Sequence, residues 1–229
     1  MNNVHNKVFN KKKKPHLFII GAGGFGRELE SWVSRIPKEN CPWLIEGFID
    51  DDPHSLKENA SDIKYAGTTD FPFEEDDCVL MAIANPIIKE KLFQKMKGKV
   101  RFVTYIDPTA IIGMYAKIGD GCVICPNTII SANAYLGDCV TINLGSQVGH
   151  DATIGSFSSL MGHVDIGGCS SVGRNCYLGT QSCLAPNTKL GEGITIGIGS
   201  TVINNLDEPG TYFGYPAKKI FPLKKGSSE

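Results

Sequence analysis

The sequence has almost no net charge and no long apolar run, and these two absences narrow the classes of function. Its formal net charge is −1, and 21% of its residues are charged. Such a chain lacks the strong basic field that holds nucleic acid or an anionic membrane surface. No segment approaches the ~20 apolar residues that a membrane-spanning helix needs. The one basic block, four lysines at positions 11–14, lies in a polar leader, residues 1–14, and is expected to be solvated.

A secretory signal and a completed metal motif are also missing. The apolar stretch at 17–20 is short and runs directly into glycines, so we expect no signal peptide. The eight cysteines are therefore not expected to form disulfides, and a reducing cytoplasm fits them best. Cys122 and Cys125 have metal-like spacing, but no second pair completes a zinc site. We expect no metal.

A repeat of six residues fills the second half of the chain. From position 105 to 206 the sequence divides into seventeen hexads without an insertion. The second place of every hexad is aliphatic, and these residues are Ile106, Ile112, Ile118, Ile124, Ile130, Leu136, Ile142, Val148, Ile154, Leu160, Ile166, Val172, Leu178, Leu184, Leu190, Ile196 and Val202. Gly, Asn, Asp and Pro concentrate at the third to fifth places, which is typical of turns.

One aliphatic residue in six fits neither a helix, with its period of 3.6, nor an ordinary strand, with its period of 2. It indicates short flat sides joined by turns. Three such sides, one hexad each, close a triangular coil, and stacked coils form a parallel β-helix filled by the aliphatic columns. Seventeen hexads predict between five and six coils.

A glycine-rich motif marks the first half. The stretch LFIIGAGGFG, residues 17–26, is followed by a helix-like segment, a pattern typical of strand, phosphate-binding turn and helix. Two further apolar runs end at Asp50, Asp51 and Asn85, where open α/β sheets bind ligands. Taken alone, the motif favours NAD, with Asp50 on the ribose. This unit of about 85 residues has no second nucleotide-binding half and no nameable hydride-transfer site, and the glycines alone also suit a plain tight turn.

The hexads and the ending FGYPAKKI, residues 213–220, resemble the hexapeptide-repeat acyltransferases. That resemblance implies a left-handed prism, a trimer, and acetyl-coenzyme A between neighbouring prisms. The chain also has the GxGGFG loop, the Asp50–Asp51 pair and the His-Asp pair at 150–151. With these features, residues 15–221 resemble the sugar acetyltransferases of the sialic acid O-acetyltransferase type, which include N-acetyltransferases of nucleotide-linked 4-amino sugars. The fold class implied is an α/β Rossmann-like unit at 15–100 that binds sugar nucleotide, a left-handed parallel β-helix at 101–206, and a C-terminal extension at 207–229.

The resemblance also implies site residues. Those matched to the substrate are Gly23, Gly24, Phe25, Asp50, Asp51, Ala84 and Asn85. Those matched to acetyl-coenzyme A are Ser159, Thr180, Gly197, Ile198 and Gly199. The family often has Gly-His-Gly in its first loop, whereas this chain has Gly24-Phe25-Gly26, so the choice of sugar stays open.

His150 and Asp151 are the candidate catalytic pair. His150 takes the fourth place of its hexad, and its neighbours one coil away, at intervals of three hexads, include Ala132 and Gly168, which leave room for a ligand. Acetyl transfer needs a group that removes a proton from the acceptor, which suits a histidine oriented by an aspartate. A solvated surface pair is the plainer interpretation. We expect His163 to be a corner residue, and we disfavour a covalent acyl-enzyme because no cysteine or serine has a recognisable base beside it.

The sequence therefore predicts an acetyl-coenzyme A-dependent N-acetyltransferase acting on a nucleotide-linked amino sugar in bacterial surface-glycan (O-antigen) synthesis. O-acetylation of a sugar hydroxyl and a non-catalytic trimeric nucleotide-binding module remain open, with an NAD-dependent oxidoreductase as a poorer option. We expect a homotrimer with its active site between subunits, in which Tyr135, Phe157 and Met161 lie on the outer sides of the prism.

Overall fold

The computed structural model describes residues 14–56 and 61–220, so nearly all of the predicted leader and the last nine residues lie outside the description. The first unit is a five-stranded parallel sheet in the order β3-β2-β1-β4-β5. Its strands are β1 (His16–Ile20), β2 (Leu44–Ile49), β3 (Lys64–Gly67), β4 (Asp77–Met81) and β5 (Arg101–Phe102). Two helices, α1 (Gly24–Ser34) and α2 (Pro86–Met96), follow β1 and β4. The central strands are buried on both faces, as their continuous apolar sequences require.

The two helices begin in different ways. Gly23 is the N-cap of α1 and provides no side-chain cap, whereas the Asn85 side chain caps α2 by accepting the N–H groups of Ile87 and Ile88. Gly26 lets α1 lie against the preceding turn, because a Cβ there would be 1.9 Å from the Gly21 carbonyl oxygen. The glycine loop is thus a tightly packed strand-to-helix turn whose helix end is uncapped.

The second unit is a parallel β-helix, and the predicted fold class is confirmed. Its strands occupy the first two places of the hexads, and β21 begins one residue earlier. They are β6 (Tyr105–Ile106), β7 (Ile111–Ile112), β8 (Lys117–Ile118), β9 (Val123–Ile124), β10 (Ile129–Ile130), β11 (Tyr135–Leu136), β12 (Thr141–Ile142), β13 (Gln147–Val148), β14 (Thr153–Ile154), β15 (Ser159–Leu160), β16 (Asp165–Ile166), β17 (Ser171–Val172), β18 (Tyr177–Leu178), β19 (Cys183–Leu184), β20 (Lys189–Leu190), β21 (Ile194–Ile196) and β22 (Thr201–Val202).

Three sheets form the faces of the prism, and each strand pairs with the strand three hexads away. We call the sheet that contains β6, β9, β12, β15, β18 and β21 the covered face. The second-place aliphatic residues fill the interior from Ile124 onward. Ile106 and Ile112 stay exposed because they belong to the first coil, which has no coil beneath it.

Buried hydroxyl groups at the sixth place of the hexads connect the coils. Ser146 Oγ donates to the Met161 carbonyl at 2.8 Å and accepts the Val164 N–H at 3.1 Å. Ser158 repeats the same pair of bonds two hexads later, to Gly173 and Cys176. A small hydroxyl side chain is therefore favoured at this buried place because it satisfies backbone groups of the next coil.

The prism ends in a hairpin of β23 (Gly210–Gly214) and β24 (Ala217–Ile220), and β23 extends the covered face by pairing with β21. Among the described residues, no helix is long and apolar enough to cross a membrane.

The N-terminal unit lies on the covered face and its two adjoining corners. Arg35 of α1 pairs with Asp107 at 3.4 Å, and Glu90 of α2 pairs with Arg174 at 2.6 Å. Lys89 is fully buried between the units, where its Nζ donates to Thr141 Oγ1 at 2.9 Å, Ser159 Oγ at 2.7 Å and the carbonyl of Cys139 at 3.0 Å.

This packing corrects the expectation for the outer sides of the prism. Phe157 is 4% exposed, because Phe93 of α2 and Arg174 cover its ring. Met161 is also buried, and only Tyr135 of the three predicted residues is exposed.

Candidate functional site

His150 and Asp151 lie in the turn between β13 and β14, at the corner opposite the covered face. We call residues 149–152 and the turns stacked on them, 131–134 and 167–170, the His150 corner. His150 Nδ1 is 2.8 Å from Asp151 Oδ2, and the Asn133 amide donates to Asp151 Oδ1 at 3.1 Å. The side chains of His150 and Asp151 are 66% and 50% exposed, so the pair is oriented and accessible to a ligand. The bond from His150, then that from Asn133, lowers the pKa of Asp151.

Gly168 makes room for the imidazole from the neighbouring coil. A Cβ at this position would lie 2.6 Å from His150 Nε2 and 2.8 Å from Cε1. The ring therefore lies against a bare backbone, and any side chain there would have to displace it. The interval of three hexads places Gly168 beside His150, as the sequence predicts.

Cys169 is a site residue that the sequence analysis missed. Its sulfur, one ring nitrogen of His150 and one carboxylate oxygen of Asp151 lie within 4.8 Å of one another, and all three residues are exposed. The statement that no cysteine has a base beside it was therefore wrong. The sequence contains the signal, because Cys169 follows Asp151 by three hexads and therefore lies in the coil stacked on it.

Replacing Cys169 with alanine is expected to leave more than about half of the turnover of the predicted acetyl transfer, since no hydrogen bond joins its thiol to His150, whose ring pairs with Asp151 instead. Steady-state rates and mass spectrometry after mixing with the acetyl donor test this. An acetylated Cys169 in the wild-type protein together with an inactive variant would instead establish a covalent intermediate. Cys183→Ala is the control, because that cysteine is also partly accessible but lies on β19, outside the His150 corner.

The predicted substrate residues lie at the carboxyl ends of β1, β2 and β4, but they differ in how far a ligand could reach them. Gly23 and Gly24 are exposed, with open space where a Cβ would be. Phe25 is half-buried, and its ring packs against Trp32 at 6.4 Å in the core beneath the loop. The structure thus offers the loop backbone to a ligand, while the Phe25 ring supports α1.

Both carboxylates of the acidic pair already accept hydrogen bonds within this edge of the sheet. Asp50 Oδ2 accepts the Ala22 N–H at 2.8 Å and ties β2 to the glycine loop. Asp51 Oδ1 accepts the backbone N–H of Thr69 at 2.9 Å and its hydroxyl at 2.7 Å, and these two bonds lower the pKa of Asp51. Asp50, Asp51 and Thr69 line a cavity of about 170 Å³ beside Gly21.

Ala84 and Asn85 line a second and larger cleft, of about 530 Å³, whose other wall comes from the β-helix. The side-chain carbonyl oxygen of Asn85 is committed to capping α2.

The residues matched to the cofactor do not all lie together, because Ser159 is separated from the other four. Ser159 is fully buried and accepts a hydrogen bond from Lys89, a placement that does not support the predicted cofactor role. Thr180 and the segment 197–199 lie at the corner that follows the covered face, in the last two coils. There the Phe213 ring covers Gly197, while Ile198 is 61% exposed and Gly199 faces open space.

His163 occupies that same corner, as predicted for a corner residue, and its ring lies over Gly145, where a Cβ would be 2.7 Å away. Within one chain, therefore, the segment 197–199 and the His150 corner are on different edges of the prism.

Comparison with known proteins finds similar chains for both units. Residues 16–96 match the family model of the PglD N-terminal domain. GDP-perosamine N-acetyltransferase of Escherichia coli O157:H7 is 27% identical over 188 residues, which cover 75% of this chain and 80% of that protein. UDP-3-O-acylglucosamine N-acyltransferase of Janthinobacterium sp. (strain Marseille) is 30% identical over 115 residues, but they cover 48% of this chain and only 31% of that protein.

Solved structures extend the likeness to nearly the whole chain. The acetyltransferase domain of PglB from Neisseria gonorrhoeae FA1090, in complex with acetyl coenzyme A, has a TM-score of 0.79 and 25% identity, and the match covers 91% of this chain and 100% of that one. PerB from Caulobacter crescentus, in complex with CoA and GDP-perosamine, has a TM-score of 0.80 at 23% identity, covering 90% and 97%. The resemblance inferred from the sequence is confirmed: the first unit matches the PglD N-terminal domain, and nearly the whole chain is similar to sugar acetyltransferases built on the same fold.

Proposed function

We propose that this protein transfers the acetyl group of acetyl-coenzyme A to the amino group of a nucleotide-linked amino sugar. The observation that carries the proposal is the His150–Asp151 pair, held over the bare backbone of Gly168 at an open corner. The similarity over most of the chain to a GDP-perosamine N-acetyltransferase favours an amine over a hydroxyl acceptor. Sugar O-acetylation is the second candidate, because the same base would serve a hydroxyl.

In this mechanism His150 acts as a general base. With Nδ1–H donated to Asp151, the lone pair of Nε2 is free to take a proton from the acceptor as it attacks the thioester carbonyl. Asp151 then stabilises the imidazolium, and Asn133 keeps the carboxylate from rotating away. When the C–S bond of the thioester breaks, the imidazolium returns the proton to the departing thiolate, so the products are the acetylated sugar and the free thiol of coenzyme A.

We further propose that the active site is completed by a second copy, in a homotrimer. The sheet edge with Gly23 and Asp50 belongs to a unit on the covered face, and the His150 corner is opposite that face. A single chain therefore separates the proposed sugar-nucleotide site from the proposed base. In a closed ring of three chains, the His150 corner of each chain lies next to the N-terminal unit of the neighbouring chain.

Mixing two inactive variants is expected to restore activity if the site is shared in this way. One variant is His150→Ala, and the other is Gly23→Trp, which fills the open space at the loop. In trimers formed from equal amounts of both chains, about a quarter of the sites combine a native loop with a native His150. Thiol release after co-expression measures this. Activity no greater than that of either variant alone would place both parts of the site in one chain.

The acceptor is tested by incubating the protein with acetyl-coenzyme A and UDP-, GDP- and dTDP-linked 4-amino sugars, followed by their hydroxyl analogues. We expect stoichiometric thiol release with one amino sugar and the mass increase of one acetyl group. Release only with hydroxyl sugars would establish O-acetylation. Nucleotide binding with no thiol release for any acceptor would support a non-catalytic module. The proposed setting is bacterial surface-glycan synthesis in the cytoplasm.

A further inference from the structure

The His150 corner brings together three side chains that can each bind a transition metal. A ring nitrogen of His150, a carboxylate oxygen of Asp151 and the sulfur of Cys169 lie within 4.8 Å of one another. The proposed mechanism uses the histidine and the aspartate but not the thiol. Imidazole nitrogen, thiolate sulfur and carboxylate oxygen are the ligands that Zn²⁺ takes from proteins. The cysteine therefore gives this corner a binding capacity that acetyl transfer does not need.

Backbone hydrogen bonds between neighbouring coils hold the three residues in this arrangement. The Cys169 N–H donates to the His150 carbonyl at 2.8 Å, and the Asp151 N–H donates to the Ala132 carbonyl at 3.0 Å. The turn that carries Cys169 is thus stacked directly on the turn that carries the other two residues. All three side chains are exposed, so they can rotate while the backbone beneath them stays fixed. The corner combines a rigid support with ligands that can adjust.

The separations between the three groups are close to those of a tetrahedral zinc site. Zinc–ligand bonds of about 2.0–2.3 Å place the ligand atoms roughly 3.4–3.6 Å apart. His150 Nδ1 and Asp151 Oδ2 are 2.8 Å apart, and the thiol sulfur is no more than 4.8 Å from the ligand atoms of both residues. Movements of about 1 Å would therefore bring all three onto one ion. The Asn133 amide holds Asp151 Oδ1 at 3.1 Å, which leaves Oδ2 for the ion.

We propose that His150, Asp151 and Cys169 form an inhibitory Zn²⁺ site, with a water molecule as the fourth ligand. The thiol releases its proton to solvent when the ion binds. A neutral imidazole has a free lone pair on one nitrogen only, because the other nitrogen carries the proton. When the ion takes that lone pair, His150 cannot accept a proton from the acceptor amine, and acetyl transfer stops. The ion is an inhibitor and not a cofactor of the reaction.

The ligand set distinguishes Zn²⁺ from the harder divalent cations. Mg²⁺ requires octahedral coordination by oxygen atoms and gives up its water reluctantly. A thiolate together with an imidazole favours zinc instead. We therefore expect Mg²⁺ neither to bind at the His150 corner nor to inhibit. The binding of zinc is independent of the proposed function, whereas the inhibition rests on it.

Calorimetric titration of the untagged full-length protein with Zn²⁺ tests the site without any substrate. We expect the wild-type protein to bind one ion tightly per chain. Cys169→Ser keeps the shape of the side chain and removes the thiolate. It should bind about a hundredfold more weakly, since even a change beside a ligand typically costs about 10- to 100-fold in affinity. Cys183→Ser is the matched control, because Cys183 is also partly accessible but lies outside the His150 corner.

Co²⁺ provides a spectroscopic signature of the same site. It substitutes for Zn²⁺ in tetrahedral coordination, and a bond between cobalt and a thiolate gives a charge-transfer absorption in the near ultraviolet. The wild-type protein and Cys183→Ser should show this absorption with Co²⁺, and Cys169→Ser should not.

Inhibition is measured with acetyl-coenzyme A and the preferred amino sugar, each protein being compared with itself before and after addition of one equivalent of Zn²⁺. Mass spectrometry should follow the acetylated sugar, because the released thiol itself binds zinc. The initial rate of the wild-type protein should fall by more than about tenfold and return with EDTA. Cys169→Ser should keep more than about half of its own rate.

Two results would overturn the inference and leave the proposed function intact. One is equal binding of Zn²⁺ by the wild-type protein and Cys169→Ser. The other is an unchanged wild-type rate with the ion bound. If no acceptor is acetylated, the proposed function fails, and calorimetry and the cobalt spectrum still decide whether the three residues bind a metal.

Discussion

Replacing His150 with alanine is expected to lower turnover by about 10²- to 10⁴-fold, the usual loss for a general base. The side chain is two-thirds exposed and its hydrogen bond goes to the adjacent Asp151, so folding and nucleotide binding should change little. Single-turnover acetylation at saturating acetyl-coenzyme A measures the loss. Asp151→Asn should have a smaller effect, because it keeps the base but weakens its orientation and its stabilisation when protonated.

His163→Ala is the matched control for this experiment. His163 also lies over a glycine at a corner of the prism, but at a different edge and without a carboxylate bonded to its ring. It should therefore retain nearly full activity. If His150→Ala kept more than about a third of wild-type turnover with chemistry rate-limiting, another group would have to be the base, and His163 would be examined next.

Replacing Lys89 with alanine is expected to lower the free energy of unfolding by about 3–5 kcal/mol. The substitution removes a fully buried side chain that joins the two units, and it leaves the carbonyl of Cys139 and the hydroxyls of Thr141 and Ser159 without their donor. Urea unfolding followed by circular dichroism measures the change.

Two further substitutions in α2 define what the Lys89 side chain contributes to stability. Lys89→Met keeps most of the buried volume and removes the donor, so it should lose about 1–3 kcal/mol. Lys91→Ala, on the same helix but exposed, should change stability by less than about 0.5 kcal/mol. An Lys89→Ala protein as stable as wild type would mean that the two units do not depend on this contact.

The stability of the wild-type protein is expected to rise with pH between about 7 and 10.5, relative to Lys89→Met. Burial lowers the pKa of Lys89 to about 7, from an ordinary value of 10.5. Between these pH values Lys89 is protonated in the unfolded chain and neutral in the folded chain. Unfolding therefore takes up a proton, and it becomes less favourable as the pH rises. Thermal midpoints of both proteins across this pH range test the sign. If the difference in thermal midpoint between wild type and Lys89→Met stayed constant from pH 6.5 to 10, Lys89 would keep its proton when buried.

The hexad repeat predicted the β-helix because its interior requires one aliphatic residue at each flat side, and the interval of three hexads then places Gly168 beside His150. The same interval applied to Asp151 would have found Cys169. What the repeat could not predict is which face the N-terminal unit covers. Phe157 and Ser159 are unremarkable in sequence, yet α2 buries both. Their environment comes from contacts between segments far apart in the sequence, such as that of Lys89 with Ser159, and no local pattern encodes these.

Because the strands of each face pair at a fixed offset of three hexads, chain length within the prism is constrained during evolution. An insertion shorter than one hexad inside a strand would move the aliphatic column out of the interior, whereas a whole coil can be gained or lost with every column preserved. A longer corner loop would leave the columns intact as well. The height of the His150 corner relative to the N-terminal sheet can therefore change only in steps of one coil, roughly 4.8 Å. Homologues that accept longer or shorter sugars are expected to differ in corner loops or by whole coils.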